Sequence, residues 1–483
     1  MTLPAITGKA VRDLGIEMEG LQNELQMISC LMKGTGAMRD AGKTYLPQWP
    51  NEDNDSYAAR LQTATLYPIF RRTVIVNAAR PFSRPVTMEK IPEAMKEWLD
   101  NIDLQGSSLP AFGVALMEKC LSDGLVGVLT DYPQAENIKT VEDEKKAGVR
   151  PYLTIYPAAS ILGWRATVEN GNTVLKQVRL LEVVTVDDGD FGSKEVEQVR
   201  VLQPGEWATY QKDEKPNEKG EETWKQVGAG TTTIKVIPFE FYYGVREKFG
   251  VGRSPLLDLG YMNVKHWQSE SDQQTILHVA RVPVLFAKCF GDQKITIGAS
   301  TAASSDDENS TLEYVEHSGM AVGAGRQAIQ DLEEQMRAIG AELIAQKPSH
   351  VTATQVTGES EATKSLLQQI TEIFEESLEG SLNFMLQWVQ ESEQVDLDLY
   401  KDFDQDTGLD PQNLQKAVES KVLSRETYFN EMKRRDLVSP DLNWTDELGR
   451  IKQEMQTFEP AGTGGVPGTV PASSGAPTTP PSS

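Results

Sequence analysis

Histidine and cysteine are scarce in this chain, with four of the first and three of the second among 483 residues. Cys30, Cys120 and Cys289 are odd in number, widely spaced and never in a CxxC pair. That excludes a disulfide frame and predicts buried thiols in a reducing compartment, with the chain in the cytoplasm while it is made. His266, His278, His317 and His350 form no HExxH, and the first two, twelve residues apart on one predicted helix, cannot share a metal ion. No run of ~18 apolar residues occurs, so no membrane-spanning helix and no membrane partner is predicted. Met1-Thr2-Leu3-Pro4 lacks the basic-then-apolar pattern of a secretory leader. Basic charge is short as well: 47 Lys and Arg face 71 Asp and Glu, a net of −24. Proteins that grip nucleic acid do so by neutralising phosphates, which this balance opposes. It leaves room for a surface that DNA passes without adhering, although solubility alone explains the charge more simply.

Catalytic motifs are missing too. Gly36-Ala37-Met38-Arg39-Asp40-Ala41-Gly42-Lys43-Thr44 resembles a phosphate-binding loop but carries five residues between the first glycine and Gly-Lys-Thr where four are needed. Tyr45-Leu46-Pro47 then blocks a following helix, so the segment is read as a plain loop. Gly323-Ala324-Gly325 lacks the third glycine of a dinucleotide site and is read as a flexible lead-in to a helix. No GxSxG occurs. Pairs such as Asp187-Asp188, Glu333-Glu334 and Glu375-Glu376 abound because the whole chain is acidic, and a solvated face is their simplest meaning. The expectation is a protein with no catalytic, cofactor or metal residues, an unrecognised acidic hydrolase being the enzymatic alternative.

What is present is an ordinary globular composition, 39% hydrophobic and 24% charged, over a length that suits two or three domains with cores of their own. Helix-spaced apolar residues predict helices over 54–67, 69–80 and 109–123, the last closed by Gly124. A short buried strand follows at Leu125–Thr130. From about 150 to 244 the period changes to two. Strands are predicted at Tyr152–Tyr156, Val174–Val184, Val196–Leu202, Trp207–Gln211, Thr231–Val236 and Phe239–Tyr243. Asn170-Gly171 marks a hairpin, and the charged Lys212–Glu222 an exposed loop.

Long helices come next. Ser254-Pro255 caps a helix predicted to reach Ala280, stopped by Pro283. Short strands are expected at Val284–Ala287, Lys294–Ile297 and Leu312–Val315. A second helix, about 326–346, carries Ile329, Leu332, Met336, Ile339 and Leu343 at alternating spacings of three and four, a narrow heptad seam. Such a seam needs a neighbouring helix, and in a ring the next subunit can supply it. Lys347-Pro348-Ser349-His350 ends that helix and is the one loop singled out for function, although a bare helix–helix connection needs no role. A third helix over about 359–391 would be roughly 50 Å long, more than a compact domain accommodates. Shorter helices are expected from Asp410-Pro411 and from Ser424 to Arg435. Residues 460–483 contain only Pro, Gly, Ser, Thr, Ala and Val and are predicted to be disordered.

This order of elements resembles the portal proteins of tailed bacteriophages, the head-to-tail connector family. The resemblance is carried by Ala41–Pro47, Leu125–Pro133 and above all Gly252-Arg253-Ser254-Pro255-Leu256-Leu257-Asp258-Leu259, running on through Ser271-Asp272-Gln273-Gln274 to Pro283. Glu316–Gly319, Leu332–Ala341, Thr352-Ala353-Thr354 and Leu423-Ser424 add to it, and the similarity covers about residues 40–455. It implies an α+β, mainly helical portal-type fold. Residues 1–133 would form a helical N-terminal part of the wing and 134–253 its β-rich domain. Residues 254–283 would be the first stem helix, 284–325 a clip, and 326–358 the second stem helix with a channel loop. Residues 359–455 would be a long helix and crown, ahead of a disordered 456–483.

The implied function is that of a ring, twelve subunits in this family, that conducts double-stranded DNA at the capsid vertex during packaging and ejection. Lys347 and His350 would face the DNA. Ile329, Leu332, Met336, Ile339 and Leu343 would pack the stem. The implied partners are further copies of the chain, the terminase large subunit, capsid or scaffold proteins, and head-completion or tail adaptor proteins. The implied location is the virion. A helical scaffold or adaptor that never meets DNA is the alternative from the residues themselves.

Overall fold

The computed structural model describes residues 11–133, 149–213, 223–281, 284–289, 307–315, 320–344, 364–392 and, with short gaps, 394–457. The chain divides into one unit ending at Asp406 and another beginning at Thr407. The fold is a mixture of helix and strand.

The first unit begins with two helices that the periodicity did not single out, α1 (Ile16–Lys33) and α2 (Thr35–Ala41), separated by Gly34 at φ 91°. The supposed loop at 36–44 is therefore helical to Ala41 and then turns once as a 3₁₀ segment, Gly42–Thr44. Tertiary contacts override its weak propensity. Met38 is completely buried, and Arg39 donates from Nε and Nη2 to the Ala64 carbonyl at 3.0 and 2.8 Å. Next comes α3 (Asn54–Thr63), capped by the Asp53 carboxylate, which accepts from the Asp55 and Ser56 amides. On it Arg60 grips Glu52 through two bonds of 2.7 and 2.8 Å while stacking 4.1 Å over Trp49. Then follow α4 (Ile69–Ala78), β1 (Thr87–Lys90), α5 (Glu93–Lys96) and α6 (Leu109–Asp123). Gly124 closes α6 in the left-handed region, as its sequence position predicts.

β2 (Leu125–Asp131) is the middle of a three-stranded antiparallel sheet, flanked by β3 (Tyr152–Pro157) and β9 (Phe239–Tyr243). Both faces of this sheet are buried, which is why β2 reads as an unbroken apolar run. Val126, Val128 and Tyr242 join the core formed with α4, α6 and the later helices. Leu125, Leu129, Phe239, Phe241 and Tyr243 join a second core beneath a five-stranded meander. That meander runs β4 (Ile161–Glu169), β5 (Asn172–Asp188), β6 (Gly192–Gln203), β7 (Glu206–Lys212) and β8 (Trp224–Thr231). Asn170 and Gly171 connect β4 to β5 with φ of 52° and 84°, the two positive values that a two-residue hairpin turn requires. The strand expected at Thr231–Val236 is displaced. β8 ends at Thr231, opposite Glu206 at the start of β7, so residues beyond it have no partner strand. Most of the predicted loop at Lys212–Glu222 lies outside the described residues.

A small hairpin, β10 (Val245–Lys248) and β11 (Val251–Arg253), leads into the long helices. The helix expected over 359–391 is described as α9 (Leu366–Trp388), begun by a capping box between Ser365 and Gln368; residues 359–363 lie outside the described residues. At 23 residues it spans roughly 35 Å. It fits within the unit because it lies on β2 and β9: Phe374, Leu378, Leu382 and Met385 are completely buried. Tyr242 and Ser381 share a hydrogen bond of 2.7 Å, and Trp388 donates to the Thr130 carbonyl at 3.1 Å. β14 (Asp396–Asp398) then returns to pair with β1. Cys120 is buried, but Cys30 is only partly so and Cys289 is exposed, against the expectation of three buried thiols.

The second unit contains α10 (Arg425–Arg434) and α11 (Trp444–Thr457). Ser424 caps α10 by accepting from the Thr427 amide at 3.0 Å, and Phe429 meets Trp444 with ring centroids 5.5 Å apart. Helix α11 was not foreseen, although Asn443 accepts from the Thr445 amide at its start. The helix expected from Asp410-Pro411 begins outside the described residues, as does the tail from 460 onward.

Candidate functional site

The stretch expected to form stem and clip is a pair of helices with a hairpin between them. α7 (Leu257–Ala280) starts two residues after the predicted first helical position, Pro255 and Leu256 forming a turn that leads into it from Ser254. Its hydroxyl donates to the Leu121 carbonyl at the end of α6 (2.7 Å) and accepts from the Leu256 amide (3.1 Å), tying the base of α7 to the body. β12 (Val284–Lys288) and β13 (Thr311–Val315) follow as an antiparallel pair in unbroken register. The strand expected at Lys294–Ile297 lies outside the described residues. The chain returns as α8 (Met320–Glu342).

α8 begins six residues before the predicted start, so Gly323-Ala324-Gly325 is helix and no lead-in. Gly325 packs closely on α7: a Cβ there would meet the side-chain amide of Gln273, which would have to shift. That amide donates to the Val322 carbonyl at 3.0 Å. Further along, His266 on α7 lies 3.4 Å from Glu333 on α8, and its ring rests on Tyr67 at 5.1 Å. Pairing 273 with 322 and 266 with 333 makes the two helices antiparallel, as a hairpin between them requires.

The seam residues sit as one stripe. Ile329, Leu332, Met336 and Leu343 are buried, Met336 completely, and Ile339 is half-buried against the same core. The neighbours that cover them belong to this chain: α7 along most of the length and α4 towards the C-terminal end, where Gly340 approaches Thr73. The next subunit is therefore not what the stripe was waiting for. Heptad spacing identifies a face and leaves its cover open. The remainder of α8, including Arg326, Gln330, Glu334 and Ala338, faces solvent. Lys347 and His350 lie outside the described residues, as do Glu316–Gly319 and Thr352–Thr354.

Elsewhere, two partly buried carboxylates share one cation. Asp131 and Glu182 approach one another only through Arg200, at 2.5 and 2.8 Å. Tyr156 donates to Glu182 at 2.6 Å. Burial opposes the charge of Arg200, but Tyr156, Asp131 and Glu182 outweigh it and hold the guanidinium firmly protonated. Through that shared guanidinium the cluster ties β2 to β5 and β6. Glu240 is different. Burial under Gly380 of α9 pushes its pKa up to about 7. Among the described residues no three His, Cys, Asp or Glu side chains converge as a metal site would need, and no helix is long and apolar enough to cross a membrane.

The helix pair, its hairpin and α9 coincide with a family match. Residues 255–389 fit a family described as a domain of unknown function (DUF4055). No curated protein matches. The chain is similar in structure to a chain from the neck of an empty gene transfer agent particle resolved with C6 symmetry, with 12% identity and a TM-score of 0.42 over 79% of this chain and 93% of that one. A chain from the virion of a native gene transfer agent gives 12% and 0.38 over 83% and 98%. One from the neck of the native particle with C12 symmetry gives 11% and 0.37 over 84% and 99%.

Proposed function

We propose that the chain is a portal-type subunit: a non-enzymatic component of a ring at the head–tail junction of a phage-like particle, through which double-stranded DNA moves during packaging and ejection. The observation that carries the reading is the antiparallel pair α7 and α8 with the hairpin β12–β13 inserted between them, the arrangement the Gly252–Pro283 resemblance implies for stem and clip. A β-rich block precedes it and α9 follows, in the expected order. Lys347 and His350, directly after α8, would line the channel. The acidic net charge suits a wall that DNA slides past, since each phosphate contact would retard it. Terminase would supply the energy, and capsid, scaffold and tail-adaptor proteins would meet the ring's outer surfaces.

Class averages of the purified protein by negative-stain microscopy test the reading: rings with a central hole, twelve-fold in the family pattern, are expected. Solid particles, or monomers at every concentration and salt tried, would refute it. A helical adaptor that never contacts DNA would assemble without an axial hole.

A further inference from the structure

Two features of the first unit have no role in the account so far. One is an arm. β5 pairs with β4 only as far as Leu180, and β6 pairs with β7 only from Gln198. Between these limits the strands bond to each other alone, so the stretch to the Asp188–Gly192 turn is a bare two-stranded ribbon. Such a ribbon is marginal in water without something packed on it. Its tip reads Asp187-Asp188-Gly189-Asp190-Phe191, and Phe191 touches nothing in its own chain, at 104% relative exposure. The three carboxylates are well solvated there, while the phenyl ring is the one large apolar group at the tip and is left wholly in water.

The other is a groove of about 360 Å³ between α4 and the C-terminal end of α8. Residues 69, 72, 73, 76, 77 and 80 present one face of α4 and the turn after it, and Arg337, Gly340 and Ile344 form the opposite wall. Three of its side chains are cationic, Arg72, Arg80 and Arg337. Its apolar part includes Val76, which is 54% exposed. Two polar atoms within it, the Asn77 Oδ1 and the Arg80 Nε, are buried with no hydrogen-bond partner among the described residues.

We infer that the groove seats the Phe191 tip of a neighbouring copy of this chain. The tip's aspartates would meet Arg72, Arg80 and Arg337, and its ring would lie on Val76 and Ile344. Charge corresponds: three acids around one aromatic meet Arg72 and Arg80, with Arg337, which already pairs with Glu333 at 2.9 Å, on the opposite wall. In a chain of net charge −24, an arginine-lined recess beside exposed apolar surface suits an acidic, aromatic protein segment, and this chain carries such a segment. The α4–α8 wall leaves the backbone of DNA no long basic track to follow. The inference rests on the ring reading, since it needs a second copy.

The test uses two full-length proteins, each also carrying Cys289→Ser to remove the exposed thiol. One bears Phe191→Cys and the other Val76→Cys. Mixed under mild oxidation, they should form a disulfide-linked heterodimer, and Arg72→Glu with Arg80→Glu in the groove partner should lower its yield about tenfold or more. Reversing the tip with Asp187→Lys and Asp188→Lys should restore it. Rings without this cross-link would overturn the inference and leave the ring reading standing. Monomers throughout would overturn both. Arginine substitutions that weaken binding to a DNA duplex while leaving the cross-link unchanged would assign the groove to nucleic acid and overturn the inference.

Discussion

Replacing Glu240 by glutamine should stabilise the protein in mildly alkaline solution and do much less in mildly acidic solution. Glu240 lies on the face of β9 that meets α9, beside Tyr242, and a Cβ on Gly380 would come within 3.1 Å of its carboxylate. Among the described residues it has neither hydrogen-bond nor ion-pair partner, so burial alone raises its pKa from 4.5 to about 7. A carboxyl whose folded pKa is raised keeps its proton longer in the folded state. Its favourable contribution is complete below the unfolded value and erodes as pH climbs through the window between the two. From pH 5.5 to 8.5 the loss comes to about 2 kcal/mol, taking about 1.4 kcal/mol for each unit of differential protonation. Glutamine keeps the shape without the ionisation. Urea unfolding of both proteins at those two pH values measures the difference directly. The wild type should lose about 2 kcal/mol relative to E240Q over that interval. Parallel stabilities would mean that water or a cation reaches the carboxylate, and the burial argument would fail. Working above pH 5 also avoids the sequence pI near 4.7, where the chain carries little net charge.

Met336→Asp with Ile339→Asp should abolish ring assembly, and the placement of the seam adds that the monomer itself should lose at least about 3 kcal/mol, seen as a lowered melting temperature, because Met336 is completely buried against its own chain. Rings from this variant, or an unaltered melting temperature, would contradict the packing. Glu52→Gln should cost about 1–3 kcal/mol at pH 7 by breaking the two-pronged grip of Arg60. Arg60 holds the Glu52 pKa below its ordinary 4.5, so that contribution is present above this value and fades as pH falls beneath it; chemical denaturation at pH 7 and at pH 3.5 should show the gap narrowing. Deleting residues 460–483 should leave assembly unchanged by microscopy, and a loss of rings would give that segment a structural role.

Local signals were legible wherever one residue decides the backbone. Gly124 ends α6 and Asn170-Gly171 turns β4 into β5 because positive φ there admits few alternatives. The order of β-meander, helix, hairpin and helix could be read from the change in period. What could not be read is what lies opposite. α2 is helical because Met38 and Arg39 find partners far along the chain, and no local spacing encodes that. The seam on α8 was visible, but whether α7 of the same chain or a neighbour covers it depends on the path of the intervening hairpin. The length expected for the helix around 359–391 came from a run of suitable spacings, whereas its described start is fixed by Ser365 and Gln368. The candidate site divides the same way. Lys347 and His350 were chosen as a basic stretch between helices, while the groove arginines come from α4, the turn after it and α8, more than 250 positions apart at the extremes, with no motif to unite them.

The Arg200 cluster gives the β5–β6 arm a fulcrum. Glu182 stands at the arm's root, Arg200 on its returning strand and Asp131 at the end of β2, so the ribbon is pinned where it leaves the sheet. Arg200→Met would remove both ion pairs at once and leave the Asp131 and Glu182 carboxylates facing one another at the arm's base without the cation they share.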